Sequence, residues 1–227
     1  MCMTKVSMSQ VRKKYDNFIL GDINFQAKEK EIIGLIGENG AGKTTLLKSI
    51  GGINKIDFGT IKKDFKELGF CFDSIPFPEE LNILQLEHIF QNIGINWDTQ
   101  AFWPYIKALQ LPIKIPISNF SKGMKMQLNL CISISHHPDL LLLDEITSGL
   151  DPLMRRKVLR LIKKYVDQND CAVIITTHNL NDVVEICTRF DLLDHGKIIL
   201  EKNMQKFGAE NLEKLFEETV KKANLGE

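Results

Sequence analysis

The sequence predicts an α/β fold with a mostly parallel sheet, an antiparallel N-terminal β part and an inserted helical lobe. Apolar runs such as those at 140–143 and 172–175 alternate with amphipathic segments such as 152–168, a pattern typical of a parallel sheet that helices cover on both faces. Residues 4–36 instead alternate polar and apolar side chains in short runs, which indicates β-strands. Residues 73–135 carry apolar side chains at helical spacing.

The N-terminal strands lead into a glycine-rich turn. Turn-forming residues at 15–17 and 28–31 separate the strand-like runs, and the apolar segment 31–36 directly precedes GENGAGKT at 37–44. Because this octapeptide has the form GxxxxGK[ST] between a strand and a helix, it predicts a loop that binds the phosphates of a nucleoside triphosphate through backbone N–H groups. The candidate nucleotide-binding residues are Gly37, Glu38, Asn39, Gly40, Ala41, Gly42, Lys43, Thr44 and Thr45.

Two further side-chain types complete the predicted phosphate chemistry. Lys43 is long enough to reach the outer phosphates, and the Thr44 hydroxyl can bind Mg²⁺. The apolar strand at 140–143 ends in Asp144 and Glu145, and a carboxylate at such a strand end is a ligand that Mg²⁺ between phosphates requires. Asp144 is therefore the candidate metal ligand, and Glu145 is expected to polarise an attacking water. The alternative is an ordinary acidic strand end.

The remaining elements predict a single domain with three parts. In chain order they are a helix from Lys43 to the paired glycines 51–52, a strand pair at 60–62 and 68–72, helices at 83–93, 102–109 and from about Ser121, and then alternating strands and helices after residue 140. The α/β core is expected to comprise 1–72 and 136–202, the helical lobe 73–135, and a C-terminal helical tail 203–227.

Composition narrows the possible classes of protein. The 227 residues include 29 basic and 29 acidic side chains, so no overall field attracts nucleic acid and no nucleic-acid partner is expected. Five scattered cysteines without a CxxC motif indicate reduced thiols of a cytosolic protein. No apolar run approaches the roughly 18 residues of a membrane span, and no signal-peptide core is visible. Any membrane role would therefore require a partner.

Four motifs occur in register along the chain. They are GENGAGKT at 37–44, NFSKGMK at 119–125, LLLLDEITSGLDP at 140–152 and TTH at 176–178. In order and spacing, they resemble the ATP-binding subunit of an ABC transporter over nearly the whole chain. The NWD segment at 96–98 and the SKGMK sequence also resemble the small ATPases of ABC-2-type exporters. The resemblance implies Mg-ATP hydrolysis, a second ATPase subunit, a separate transmembrane permease and a location on the cytoplasmic face of the membrane.

The resemblance also implies roles for four side chains. Tyr15 corresponds to an aromatic residue that stacks on adenine; the alternative is a half-buried tyrosine at a strand end. Ser121 and Gly123 correspond to residues that contact the γ-phosphate held by the opposite subunit, and a helix start also suits an anion; the alternative is a plain helix cap. His178 corresponds to a γ-phosphate sensor, or is a structural histidine. Residues 148–151 correspond to the loop that links the two sites.

Two departures from the family pattern bear on the candidate site residues. The signature Leu-Ser-Gly-Gly-Gln is altered by Lys122 and Met124, which occupy its first glycine and its glutamine positions. The glutamine expected at the junction with the helical lobe aligns with Asp73. Asp73 could still bind Mg²⁺, but its side chain is shorter and charged, and it is carried as a candidate metal ligand.

Three alternative functions are compatible with parts of the sequence. A soluble ABC ATPase without a transport role is one, and a weakly active partner in a heterodimeric transporter is another, suggested by the altered signature. A GTPase is suggested by NKID at 54–57, which has the NKxD form used for guanine. That segment follows the first helix too closely for such a role, so we interpret it as a coincidence.

Overall fold

Strands and helices alternate as expected in the computed structural model, which describes residues 2–72, 76–93, 96–204, 212–215 and 218–219. The strands are β1 (Thr4–Tyr15), β2 (Phe18–Lys28), β3 (Ile32–Ile36), β4 (Phe58–Lys63), β5 (Leu68–Cys71), β6 (Leu140–Asp144), β7 (Ala172–Thr177), β8 (Arg189–Asp194) and β9 (Lys197–Asn203). The helices are α1 (Lys43–Gly51), α2 (Ile83–Asn92), α3 (Thr99–Ala108), α4 (Lys122–Ile134), α5 (Pro152–Gln168) and α6 (Leu180–Ile186), with a short 3₁₀ helix at Ile117–Asn119.

The larger sheet has the strand order β5-β6-β7-β3-β8-β9 among the described residues. Of the described strands in this sheet, only β8 and β9 pair in antiparallel fashion, and the other neighbours are parallel. Every residue of β3, β6 and β7 is buried, which is why these strands are apolar without alternation. The predicted α/β fold with a mostly parallel sheet is confirmed.

Alternate residues of β6 face two separate hydrophobic cores. Leu141 and Leu143 lie in the core that includes α4, α5 and α6. Leu140 and Leu142 lie in the other core, together with α1 and the inward side chains of β1 and β2. Because side chains on a strand alternate between faces, one apolar run of the sequence supplies both cores. This arrangement holds the smaller sheet against the larger one.

The smaller sheet is antiparallel, with the order β2-β1-β4, as the alternating N-terminal pattern predicts. The sequence also suggested that 60–62 and 68–72 form a strand pair, and this is wrong. β4 pairs with β1 in the smaller sheet, whereas β5 pairs with β6 in the larger one. The two strands are close in sequence, but their hydrogen-bonding partners lie in different sheets, and local spacing does not reveal this.

The segment between β5 and β6 contains the three expected helices. Each begins after a side chain that accepts a hydrogen bond from the first turn: Asn82 for α2, Asp98 for α3 and Ser121 for α4. Such caps satisfy backbone N–H groups that have no partner within the helix. Phe90, Trp97 and Phe102 form a chain of ring contacts with centroid distances of 4.8 and 4.9 Å. Of the helical tail predicted at 203–227, Asn203 is instead the last residue of β9, residues 212–215 and 218–219 are helical, and residues 205–211, 216–217 and 220–227 lie outside the described residues.

Two leucines of α5 provide a matched test of the core. Leu159 is 0% exposed, whereas Leu153 on the same helix is 65% exposed. We expect Leu159→Ala to lower the free energy of unfolding by about 2 to 5 kcal/mol, because the lost side chain leaves a cavity. Leu153→Ala should change it by less than about 0.5 kcal/mol. Urea unfolding followed by circular dichroism measures both. Equal losses would contradict the burial of Leu159.

Candidate functional site

The loop between β3 and α1 depends on two glycines. A Cβ atom at Gly37 would collide with the carbonyl oxygen of Leu193 on β8, so a larger residue cannot occupy that position. Gly42 caps α1 with a φ of 108°, a left-handed conformation that favours glycine. These two features let the chain pass from a buried strand into a helix in one tight loop.

Lys43 lies across this loop. Its Nζ donates hydrogen bonds to the carbonyl oxygens of Gly37 and Glu38, at 2.7 and 3.0 Å. Burial lowers the pKa of Lys43, while the nearby carboxylates of Glu145 and Asp144 act to raise it. The loop therefore surrounds the Lys43 ammonium group, and the carboxylates of Glu145 and Asp144 lie near it. This is the position from which an ammonium group can contact the outer phosphates of a nucleotide.

Asp144 forms the link between the loop and the sheet. Its Oδ2 accepts a hydrogen bond from the Thr44 hydroxyl at 2.8 Å, and its Oδ1 accepts one from the Thr176 hydroxyl at 2.7 Å. Parallel β6 and β7 end side by side, with Asp144 opposite Thr176. The carboxylate and hydroxyl oxygens of Asp144 and Thr44 are thus adjacent, although they are 100 residues apart in the chain.

Glu145 follows Asp144 at the same edge in a sterically restricted backbone conformation. Its φ is 50°, which is uncommon for a residue other than glycine and is often found at functional sites. Its N–H donates to the Thr176 hydroxyl at 2.9 Å. Its Oε1 lies 3.9 Å from Nδ1 of His178, which follows β7. The sheet therefore brings together two side chains that are far apart in sequence.

A cavity of about 670 Å³ opens beside the loop. Of the sequence-predicted residues, eight line it: Tyr15, Asn39, Gly40, Gly42, Lys43, Thr44, Thr45 and Glu145. Tyr15, at the end of β1, and the phosphate loop therefore share one cavity. Four lining residues were not predicted: Asn17, Phe18, Lys48 and Asn54.

Asn54 contacts the predicted base-stacking residue. Its Nδ2 donates a hydrogen bond to the Tyr15 hydroxyl at 2.9 Å. Three residues later, Asp57 accepts hydrogen bonds from the backbone N–H of Lys14 at 2.7 Å and from Nζ of Lys13 at 3.2 Å. The sequence that resembles a guanine motif thus fastens the end of β1. From the sequence, only the polar turn after α1 pointed to these residues. The contacts of Asn54 and Asp57 with the end of β1 form only when β1 pairs with β4.

Ser121 and Gly123 lie at a second cavity of about 390 Å³. The Ser121 hydroxyl accepts a hydrogen bond from the N–H of Met124 at 3.2 Å, so it does cap α4. The second cavity is also lined by Gly149, Leu150 and other residues, and it shares no lining residue with the first. One copy of the chain therefore does not bring these two residues to the phosphate loop.

The other candidate residues occupy three different settings. Gly37 and Ala41 are buried, and Glu38 is exposed; none of the three lines the cavity. Asp73 lies outside the described residues. Within the described part of the chain, no group of three or more His, Cys, Asp or Glu side chains is arranged to hold a metal ion. The Thr44–Asp144 pair offers one hydroxyl and one carboxylate.

The fold and the site define a P-loop nucleoside triphosphatase, and the comparisons with known proteins specify its family. Residues 20–148 match the family model described as ABC transporter. The ABC transporter ATP-binding protein YtrB of Bacillus subtilis is 31% identical over 204 residues, covering 85% of this chain and 70% of YtrB. The lantibiotic transport ATP-binding protein SrtF of Streptococcus pyogenes is 29% identical, covering 95% of this chain and 97% of SrtF.

A solved structure supports the fold assignment. It is described as the dimeric structure of a post-hydrolysis state of an ATP-binding cassette with ADP and Pi. It superposes with a TM-score of 0.77 at 23% identity and covers 89% of this chain and 100% of its own.

The chain belongs to the ABC transporter family, as an ATP-binding and ATP-hydrolysing subunit. In the part of the chain that the structure describes, no helix has both the length and the apolar character needed to cross a bilayer.

Proposed function

We propose that two such subunits close head to tail over two Mg-ATP molecules. Each ATP lies between the phosphate loop of one subunit and Ser121 and Gly123 of the other. The observation that carries this proposal is the separation of the two cavities, which share no lining residue within one copy. A similar cassette is described as dimeric. Completion of a phosphate site by a second protein can contribute about 10³- to 10⁵-fold in rate.

Glu145 is the proposed catalytic residue that polarises the attacking water. Glu145 and Lys43 both line the cavity, and the backbone N–H of Glu145 donates a hydrogen bond to Thr176. His178 is the proposed γ-phosphate sensor, since it lies 3.9 Å from Glu145 and has an exposed ring. A histidine in that position can contact the terminal phosphate and Glu145 together. Lys43 supplies the positive charge on the other side of the phosphates.

Thr44 and Asp144 are the proposed Mg²⁺ ligands. Their oxygens are adjacent, at 2.8 Å, and hard oxygen donors are what Mg²⁺ prefers. When bound, the ion neutralises charge that develops on the phosphate oxygens. Thr176 keeps Asp144 in place through the other carboxylate oxygen. Asp73 stays a predicted additional ligand, outside the described residues.

Tyr15 is the proposed stacking partner of the adenine base. It lies in the same cavity as the phosphate loop, with its hydroxyl held by Asn54. Aromatic stacking is worth about 1 to 3 kcal/mol per base and tolerates different bases. Base recognition by stacking requires the ring to be held at a defined angle. Asn54 and Asp57 provide that support.

The subunit is proposed to drive a separate transmembrane permease, on the cytoplasmic face of the membrane, as part of an ABC-2-type exporter. The NWD and SKGMK segments support this assignment, as does the similarity to SrtF, which is named for lantibiotic transport. ATP-driven closure of the dimer would move the helices between β5 and β6 and, with them, the permease.

Replacement of Glu145 tests the catalytic assignment. We expect Glu145→Gln to lower phosphate release by about 10²- to 10⁴-fold and to leave ATP affinity unchanged, because the amide keeps the shape but cannot accept a proton. The variant should also accumulate as a dimer with ATP in size-exclusion chromatography. Glu185→Gln, on the exposed side of α6, is the control and should keep full turnover. Unchanged turnover by Glu145→Gln would refute the assigned role.

A wild-type chain that binds ATP but hardly hydrolyses it would favour a heterodimer.

Removal of the Asn54 contact tests the support of Tyr15. We expect Asn54→Ala to raise the KM for ATP about fivefold with unchanged kcat, since one hydrogen bond of about 1 kcal/mol is lost. Tyr15→Phe deletes only the hydroxyl and should give the same change, and the double variant should lose no more than either single one. Additive effects would show that Asn54 does not act through Tyr15.

A large preference of the wild type for GTP over ATP would instead favour the guanine motif.

Purification from native membranes tests the transport assignment. We expect the tagged chain to recover a membrane protein with several spans that stimulates ATP hydrolysis by the purified subunit. Recovery with ribosomes or nucleic acid, without such a protein, would favour the soluble ABC ATPase. Stimulation should disappear in Glu145→Gln, which separates true coupling from a contaminating ATPase.

A further inference from the structure

A buried carboxylate lies behind the site, at Asp182 on α6. It is 0% exposed. Its Oδ2 accepts hydrogen bonds from the hydroxyls of Thr147 at 2.7 Å and Thr177 at 2.9 Å. Its Oδ1 accepts one from Nε of Arg155 at 2.5 Å. Burial of a charged carboxylate is costly unless hydrogen bonds and a counter-charge compensate, and here all three donors come from elements other than α6.

Two of the three donors, Thr147 and Thr177, flank the proposed catalytic residues, and the third, Arg155, lies in α5. Thr147 is two residues after Glu145, in the loop that follows β6. Thr177 directly precedes His178 and also accepts a hydrogen bond from the N–H of Asn179 at 3.0 Å. Arg155 is in the first turn of α5, whose cap is Asp151. One carboxylate thus joins three segments. They are the loop at 145–151 (the Glu145 loop), the end of β7 with the loop at 178–179 (the His178 loop), and the first turn of α5.

We infer that Asp182 is a positioning residue that couples the Glu145 loop to the His178 loop, so that the two catalytic side chains move as one unit during closure. The inference rests on the proposed roles of Glu145 and His178. Asp182 itself is fully buried and does not line the ATP cavity. It acts through Thr147 and Thr177.

The physical reason is that neither threonine can move away from Asp182 alone without a loss of free energy. If Thr147 or Thr177 withdraws, a buried carboxylate loses one of its hydrogen bonds. Loss of Asp182 would also leave Nε of Arg155 without this carboxylate, and its Nη2 is already buried without a hydrogen-bond partner among the described residues. The position of residues 148–151, proposed to face the other subunit, is therefore communicated to both sides of the γ-phosphate site.

Isosteric replacement of the two threonines tests this coupling with little change in packing. Thr147→Val and Thr177→Val each remove one hydroxyl and keep the shape of the side chain. We expect each to lower kcat by about 3- to 10-fold with the KM for ATP changed by less than twofold. The double variant should lose less than the product of the two, because both hydroxyls serve the same carboxylate oxygen.

Asp182→Asn is the stronger change. The amide keeps the volume but removes the charge opposite Arg155, and we expect kcat to fall by about 10- to 100-fold while equilibrium ATP binding is retained. In the Asp182→Asn background, Thr147→Val and Thr177→Val should have little further effect. That non-additivity is a signature that general destabilisation does not produce.

Asp191 on β8 offers a matched control. It is also 0% exposed, and it accepts hydrogen bonds from Nε and Nη2 of Arg189 at 3.0 and 3.1 Å. In the part of the chain that the structure describes, no hydrogen bond or ion pair joins it to Glu145, His178 or Lys43. Asp191→Asn should lower the melting temperature, as loss of any buried ion-pair partner does, but should leave kcat per folded molecule unchanged.

Glu145→Gln in the same assay separates the possible failures. If Glu145→Gln abolishes turnover but the threonine and Asp182 variants keep wild-type kcat, the coupling role of Asp182 is refuted and the proposed site stands. If Asp182→Asn loses activity only in proportion to its folded fraction, as Asp191→Asn would, the coupling role is also refuted. If Glu145→Gln keeps its turnover, the proposed function itself fails.

Discussion

The parallel pairing of β6, β7 and β3 is the constraint on which the site depends. Parallel strands end at the same edge of a sheet, so the loops that follow them meet there. In this chain those loops begin with Gly37, Glu145 and His178. Each of the three loops therefore contributes different residues to the candidate site. The register of the hydrophobic strands thus decides which polar residues become neighbours at this edge.

Buried carboxylates at this edge are satisfied mainly by threonine hydroxyls. Asp144 accepts hydrogen bonds from the hydroxyls of Thr44 and Thr176. Asp182 accepts them from two threonine hydroxyls and from Arg155. A hydroxyl group both donates and accepts, and it rotates freely. Thr44 can therefore turn its lone pairs toward a cation while Thr176 continues to hold the carboxylate. By contrast, the donors to the remote Asp191 are, among the described residues, Nε and Nη2 of Arg189.

Local patterns predicted the loop and the strand ends well, because the relevant signal lies within a few residues. GENGAGKT between a strand and a helix is such a signal, and so is an apolar run that ends in Asp144 and Glu145. Contacts across the fold were not predictable in this way. Asn54 reaches Tyr15 only because β1 lies between β2 and β4, and the same pairing explains why two strands close in sequence lie in different sheets. Asp182 has no local signature at all.

The separation of the two cavities has a consequence for the order of the reaction. If each ATP needs both cavities and each copy supplies them on different surfaces, hydrolysis at low concentration follows the square of the subunit concentration. Dilution alone would then stop ATP hydrolysis, even though each subunit stayed folded and bound to ATP. A permease that binds two subunits side by side would remove this dependence by raising their effective concentration. Free subunits would thus retain their ATP until they are assembled.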